Sequence, residues 1–162
     1  MTFSYQNYKI KISKSVLDQI YQYRQTGRLS SESGGVLIGR QIISTGNLII
    51  DHCTVPMPLD VCKRTRYLRK DPKHIEFFTT LRQRENNIYA YVGEWHTHPE
   101  LIPSYSSMDL RNWQRIGKES SMPHFHLIAG IKALRIWQFD PTNKSVCELK
   151  TILWDKIHEY EC

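Results

Sequence analysis

Between Gly93 and Asp109 the chain reads G-E-W-H-T-H-P-E-L-I-P-S-Y-S-S-M-D. His96 and His98 stand one residue apart, Pro99 follows them, and ten residues separate His98 from Asp109. Upstream, Ile88 to Gly93 is apolar, aromatic and free of turn signals, which predicts a strand. His96 and His98 are expected to continue it. Side chains at i and i+2 of a strand leave on one face, about 7 Å apart at the backbone. Two imidazoles placed so can converge on one cation at about 2 Å, the distance zinc requires. Pro99 has no N–H for the ladder and is expected to end the strand.

Asp109 can supply a third ligand. Ser106 to Asp109 reads as the first turn of a helix running on through Leu110, Trp113, Gln114 and Ile116. A helix entering beside the strand end can bring its first-turn carboxylate back to the histidines. Three protein ligands then leave a fourth tetrahedral position for water, the pattern of a catalytic site. Plainer readings exist for each part. His-x-His on a strand also reads as polar surface, and Ser106-x-x-Asp109 fits a capping box that needs no metal.

His96-x-His98, seven residues, Ser106, two residues, Asp109 resembles the signature of the JAB/MPN metalloproteases, the JAMM motif, at every spacing. That family places a Glu upstream beside a Gly-rich strand start, and Glu32-Ser33-Gly34-Gly35-Val36-Leu37-Ile38-Gly39 is similar to that block. The resemblance covers roughly residues 8 to 150 and is most specific in these two blocks. The G-E-W-H-T-H-P form is similar to prokaryotic members, in particular the JAB proteases of bacterial antiphage CBASS operons.

The resemblance implies a fold, a metal and a reaction. The fold is a JAB/MPN domain, an α/β sandwich around a mixed, mostly antiparallel sheet with a general shape shared with cytidine deaminases. The metal is one zinc per chain on His96, His98 and Asp109. The reaction is hydrolysis of the amide after the C-terminal residue of a ubiquitin-like modifier, or of a nucleotidyltransferase that an E1/E2-like enzyme has conjugated to a target. Glu32 is implied as the base that takes a proton from water and hands it to the leaving amine. Ser106 is implied as a hydrogen-bond donor to the oxyanion or the water. An extended substrate tail would lie along a sheet edge as an added strand. Two other readings stay open, a JAB peptidase processing a sulfur-carrier protein and a non-catalytic MPN scaffold, although scaffolds usually lose ligands. A deaminase is excluded, because it requires a Pro-Cys-x-x-Cys beside its His-x-Glu, and no Pro-Cys-x-x-Cys occurs.

Glu32 has a rival in Glu94. Strand alternation sets Glu94 on the face of both histidines, where it could act as base or hold an imidazole tautomer from behind. Geometry favours Glu94 and the resemblance favours Glu32, which is followed here.

The elements that must position these residues read as follows. The 162 residues argue for one domain, 1–162, of an ordinary soluble composition with 40% hydrophobic and 23% charged residues. Met1 to Asn7 is polar without an apolar leader, nothing resembles a membrane span, and a cytoplasmic location is expected. Cys53, Cys62, Cys147 and Cys162 form no metal or redox pattern and suit a reducing compartment. Tyr8 to Ile12 reads as a first strand. Ser13 to Gly27 reads as a helix, with Val16, Leu17, Ile20, Tyr21 and Arg24 at helical spacing. Val36–Gly39 and Asn47–Val55 read as a hairpin around Thr45-Gly46-Asn47.

Pro56 to Pro72 reads as a long connection without structure of its own, carrying Lys63, Arg64, Arg66, Arg69 and Lys70 and much of the net charge of +6. Arg64, Arg66 and Arg69 are expected either to guide an acidic protein substrate or to be a solvated basic loop. The stretch lacks the interleaved aromatics of a nucleic-acid surface. Asp71 to Asn86 reads as a helix with Ile75, Phe78 and Leu81 inward. Phe125–Gly130, Ala133–Phe139 and Ser145–Ile152 read as an antiparallel set. His124 and His126, with no carboxylate following, read as surface or core residues. Trp113, Trp137 and Trp154 read as core.

Overall fold

A computed structural model describes residues 1–120 and 122–160, apart from the side chains of 158–160. Cys162 lies outside the described residues. The strands are β1 (Thr2–Tyr5), β2 (Tyr8–Ile12), β3 (Gly34–Gln41), β4 (Leu48–Cys53), β5 (Val61–Lys63), β6 (Arg66–Leu68), β7 (Ala90–Thr97), β8 (His124–Ala129), β9 (Ala133–Asp140) and β10 (Ser145–Leu153). The helices are α1 (Lys14–Gln22), α2 (Lys73–Arg84) and α3 (Ser107–Glu119), with a 3₁₀ segment at Trp154–Tyr160. Eight strands form one sheet in the order β1-β2-β4-β3-β7-β8-β9-β10. Only the β2/β4 and β7/β8 pairings are parallel, so the sheet is mixed and mostly antiparallel, within an α/β fold as expected.

Alternation along β3 assigns the two faces. Leu37 joins the apolar cluster that α1 covers with Val16, Leu17 and Ile20, together with Ile10, Ile50 and Trp95. Its neighbours Val36 and Ile38 point the other way, against Leu81 of α2. On that second side Trp113 of α3 packs on Ile128, Trp137 and Phe139. Full burial of each such side chain contributes about 1.5–3 kcal/mol, so the faces of α1 and α3 fix where the sheet's strand ends point.

Several local expectations are corrected. The N-terminal residues are not merely a polar lead-in, because Thr2–Tyr5 pairs antiparallel with β2. Helix α1 is capped by Ser13, whose Oγ accepts from Val16 N, but it ends at Gln22, well before Gly27. The strand before the histidines begins at Ala90, not Ile88. Asn86 and Asn87 both take left-handed φ angles of 52° and 61°, and this turn keeps Ile88 out of the sheet and exposed. Ile75 of α2 faces solvent, while His74 and Leu81 are the buried positions. The 56–72 connection carries a hairpin of its own, β5–β6, with Val61, Cys62 and Lys63 opposite Leu68, Tyr67 and Arg66. Of the two readings left open for His124 and His126, surface or core, the structure bears out the core: they lie under α3, where His126 stacks on Trp113 at 4.3 Å and His124 on Phe139 at 6.0 Å.

Candidate active site

Strand β7 carries His96, and its last residue, Thr97, is tied to the loop that carries Glu32. Thr97 N donates to Ser33 O at 2.9 Å, and Ser33 N donates to Thr97 Oγ1 at 3.0 Å. This double clamp sets Glu32 beside the strand end. His98 stands one residue past the strand, yet its backbone stays extended because His98 N still donates to Ala129 O at 3.0 Å. The two imidazoles therefore converge as expected, Nε2 to Nε2 at 3.0 Å.

Helix α3 delivers Asp109. Ser106 is the N-cap, and the capping box is complete: Asp109 N donates to Ser106 Oγ at 3.2 Å, and Ser106 N donates to Asp109 Oδ2 at 2.6 Å. The Ser106 hydroxyl also donates to Oδ2, at 2.6 Å. The other oxygen, Oδ1, stands 3.2 Å from His96 Nε2, and Oδ2 stands 3.6 Å from His98 Nε2. Glu32 Oε1 lies 3.3 Å from His98 Nε2.

Four donors about 2.0–2.1 Å from a tetrahedral ion stand about 3.3 Å from one another. The 3.0 Å between the two imidazole nitrogens and the 3.2 Å from His96 Nε2 to Asp109 Oδ1 lie close to that value, and His98 Nε2 stands 3.6 Å from the other Asp109 oxygen, Oδ2. Glu32, His96 and His98 also form a group whose ligand atoms all lie within 4.8 Å of one another and could hold a metal ion. The donor set fits a divalent cation of zinc's size and ligand taste.

The electrostatics divide the two carboxylates. Burial raises Glu32, with His96 opposing and Asp109 reinforcing, to a pKa of about 7. Burial would raise Asp109 as well, but hydrogen bonds and charge from His96, with Ser106 adding two more bonds, hold it well below the usual carboxylate range. Asp109 also outweighs burial at His96 and lifts that imidazole, whereas burial and the neighbouring His96 depress His98. Two acids in one site thus differ in proton affinity because of what surrounds them.

The cleft around these residues measures about 490 Å³. Arg66 of β6 and Arg69 just past it line one side, and Arg111 and Arg115 line it from α3. Arg64 turns away: its guanidinium donates to the Arg28 carbonyl, and its own carbonyl accepts from Gln25 at 2.8 Å. Glu94 lies in the same cleft as alternation predicts, but its partner is a guanidinium and not an imidazole, with Arg69 Nη2 at 2.7 Å. The sequence reading missed Arg111 and Arg115. Their i, i+4 spacing on the helix that opens with Asp109 was the available signal.

The family model described as prokaryotic homologues of the JAB domain matches residues 13–140. Three relatives are each described as a CD-NTase/cGAS isopeptidase. The Escherichia coli protein is 38% identical over 127 residues, covering 78% of this chain and 80% of the relative. The Pseudomonas aeruginosa protein is 34% identical over 131 residues, with the same two coverages of 78% and 80%. The Vibrio cholerae protein is 33% identical over 106 residues, covering 65% and 67%. The solution structure of a protein from Desulfitobacterium hafniense shares the fold, with a TM-score of 0.58 at 18% identity over 87% of this chain and 90% of that one.

Proposed function

This chain belongs to the prokaryotic JAB family, and from that premise we propose that it is a zinc-dependent isopeptidase of antiphage CBASS defence. It releases a CD-NTase from the proteins to which the nucleotidyltransferase has been joined. The observation that supports the metal-dependent reading is the convergence of His96, His98 and Asp109, with His96 Nε2 3.0 Å from His98 Nε2 and 3.2 Å from Asp109 Oδ1, and with Glu32 alongside. We assign zinc to His96, His98 and Asp109. When bound, zinc brings the pKa of its water to about 7 and polarises the scissile carbonyl.

The chain's own groups do the rest. Glu32, with a pKa pushed up to about 7, is matched to taking a proton from water near neutrality and passing it to the leaving amine. The water oxygen bonds to the carbonyl carbon, the C–N bond breaks, and the proton leaves on the nitrogen. Ser106 can turn its hydroxyl toward the developing oxyanion while its N–H keeps Asp109 in place. The four arginines of the cleft favour an acidic substrate segment.

The substrate assignment follows the relatives, whose names designate CD-NTase isopeptidases, and it favours this role over processing of a sulfur carrier. The bond cleaved follows the C-terminal residue of the conjugated nucleotidyltransferase or a ubiquitin-like modifier, and an E1/E2-like partner enzyme makes it. Residues 1–162 are assigned to one domain that works in the cytoplasm. No described helix is long and apolar enough to cross a membrane.

The test is to incubate the purified protein with a CD-NTase conjugate and identify the products by mass spectrometry. Cleavage at the junction is expected, lost with 1,10-phenanthroline and restored by zinc. The His96→Ala, His98→Ala double variant should purify without zinc and without activity. Cleavage that survives chelation, or stoichiometric zinc in the double variant, refutes the metal assignment.

A further inference from the structure

Glu32 is held by the β5–β6 hairpin. Its backbone N–H donates to Lys63 O at 2.7 Å, on the strand paired with that of Tyr67. Yet β5 and β6 are only three residues each and, among the described residues, pair with no other strand. A two-stranded hairpin is marginal in water, so something outside it must fix it.

A buried polar cluster on the far side of the hairpin does so. Asp60 precedes β5, and its carboxylate is fully buried. Oδ2 accepts from Met57 N at 2.9 Å, from the Tyr67 hydroxyl at 2.9 Å and from His74 Nε2 at 2.8 Å. Oδ1 accepts from Lys70 N at 2.8 Å and Asp71 N at 3.0 Å. These five donors come from the segments before and after the hairpin, from β6 and from α2. A buried carboxylate is tolerated only with such complete satisfaction.

The cluster continues into the sheet. His74, also fully buried, faces Thr54 Oγ1 with Nδ1 at 2.6 Å. Thr54 Oγ1 accepts from Val36 N at 2.9 Å, and Thr54 O accepts from Trp95 Nε1 at 2.8 Å, beside His96. Every proton is accounted for when His74 is neutral with its hydrogen on Nε2, since Thr54 then accepts from Val36 and donates to Nδ1. On the hairpin side the Tyr67 ring lies where Gly34 has no side chain. A Cβ there would meet Tyr67 Cδ1 at 2.6 Å.

We propose that Asp60, acting with His74 and Tyr67, is a positioning group for Glu32: the Asp60 carboxylate locks the β5–β6 hairpin onto α2 and the sheet, and the locked hairpin holds Glu32 at the donor cluster. The proposal rests on Glu32 being the base. It differs from a purely structural role, because the cluster reaches Glu32 through one identifiable segment: Tyr67 bonds Asp60 with its hydroxyl, and Lys63, on the paired strand of the same hairpin, accepts from Glu32 N.

A double-mutant cycle on the zinc-loaded enzyme tests it, with a CD-NTase conjugate as substrate in excess over enzyme. The variants are Tyr67→Phe, which deletes one hydroxyl and keeps the ring beside Gly34, and Asp60→Asn, each alone and with Glu32→Gln. Misplacement of a reacting group by about 1 Å costs up to roughly 100-fold. Tyr67→Phe is accordingly expected to lower turnover about 5- to 20-fold and Asp60→Asn more, with KM and zinc content within twofold of wild type. In the Glu32→Gln background the further loss should stay under about twofold, because groups acting through one residue are not additive. Equal losses in both backgrounds, or unchanged turnover with only a lowered Tm, overturn the proposal. Glu32→Gln keeping its own turnover overturns instead the assignment of the base. Tyr67→Phe decides the matter even where Asp60→Asn does not fold.

Discussion

Glu32→Gln and Glu94→Gln separate two ways of assigning the base. The amide at position 32 keeps the size of the side chain and loses the ability to take a proton. Removing general acid–base catalysis costs roughly 10²–10⁴-fold, which is about 2.7–5.5 kcal/mol of barrier. The upper half of that range is expected, because a group with a pKa of about 7 is close to the best match for proton transfer at neutral pH. Glu94 is different. Its carboxylate pairs with Arg69 at 2.7 Å, and the two side chains are 24% and 29% exposed. An ion pair so open to water contributes about 0.2–1 kcal/mol, so Glu94→Gln should change turnover less than about fivefold. The measurement is single-turnover cleavage of a conjugate at saturating zinc, where weakened metal affinity is masked and a lost base is not. Near-normal turnover in Glu32→Gln beside an inactive Glu94→Gln would refute the reasoning and show that strand alternation had located the base.

The arginines of the cleft give a second test. Arg66→Gln with Arg111→Gln should raise KM severalfold and flatten its dependence on salt, with kcat nearly constant, while Arg64→Gln should do neither. Equal effects at all three positions would mean that overall charge, not the cleft, attracts the substrate. A third test concerns acid stability. Burial would raise Asp60, but bonds from Asp71 N, His74, Met57 N and Lys70 N hold its pKa well below the ordinary carboxylate value. A group depressed on folding contributes stability that is complete above its unfolded pKa, about 4, and is lost as pH falls through the folded value. Denaturant midpoints should therefore fall on acidification for the wild type, and the Asp60→Asn curve should be flatter below about pH 4. Parallel curves would show that Asp60 does not carry this dependence.

The residues of the proposed metal site could be picked out because they are local in sequence. His96 and His98 share a strand face by periodicity alone, and Asp109 is placed by a capping pattern three residues long. Glu32 was legible only through resemblance. Its approach to His98 depends on the Ser33–Thr97 clamp, a contact between residues 64 apart. The β5–β6 hairpin was hidden by composition, since its charged residues lower the apparent strand signal of Val61, Tyr67 and Leu68. Asp60 and His74 were invisible for another reason. Each alone reads as a surface residue, and only the return of α2 over the hairpin brings them to 2.8 Å with no exposure.

The Ser106–Asp109 pattern shows how a local rule and a function can be one device. Read from sequence, a capping box and a metal ligand looked like alternatives for the same acid. A carboxylate has two oxygens, however, and the helix needs only one. Oδ2 accepts both donors of Ser106 and closes the first turn of α3, a cap typically worth about 1 kcal/mol. Oδ1 is thereby turned outward to His96 at 3.2 Å. The hydrogen bonds that satisfy the helix end also keep the acid ionised, together with His96. A ligand held this way arrives oriented and deprotonated before any cation does, so binding need not supply the ordering. The serine of the motif is therefore explained by the geometry of the acid three residues on, whether or not its hydroxyl also reaches an oxyanion.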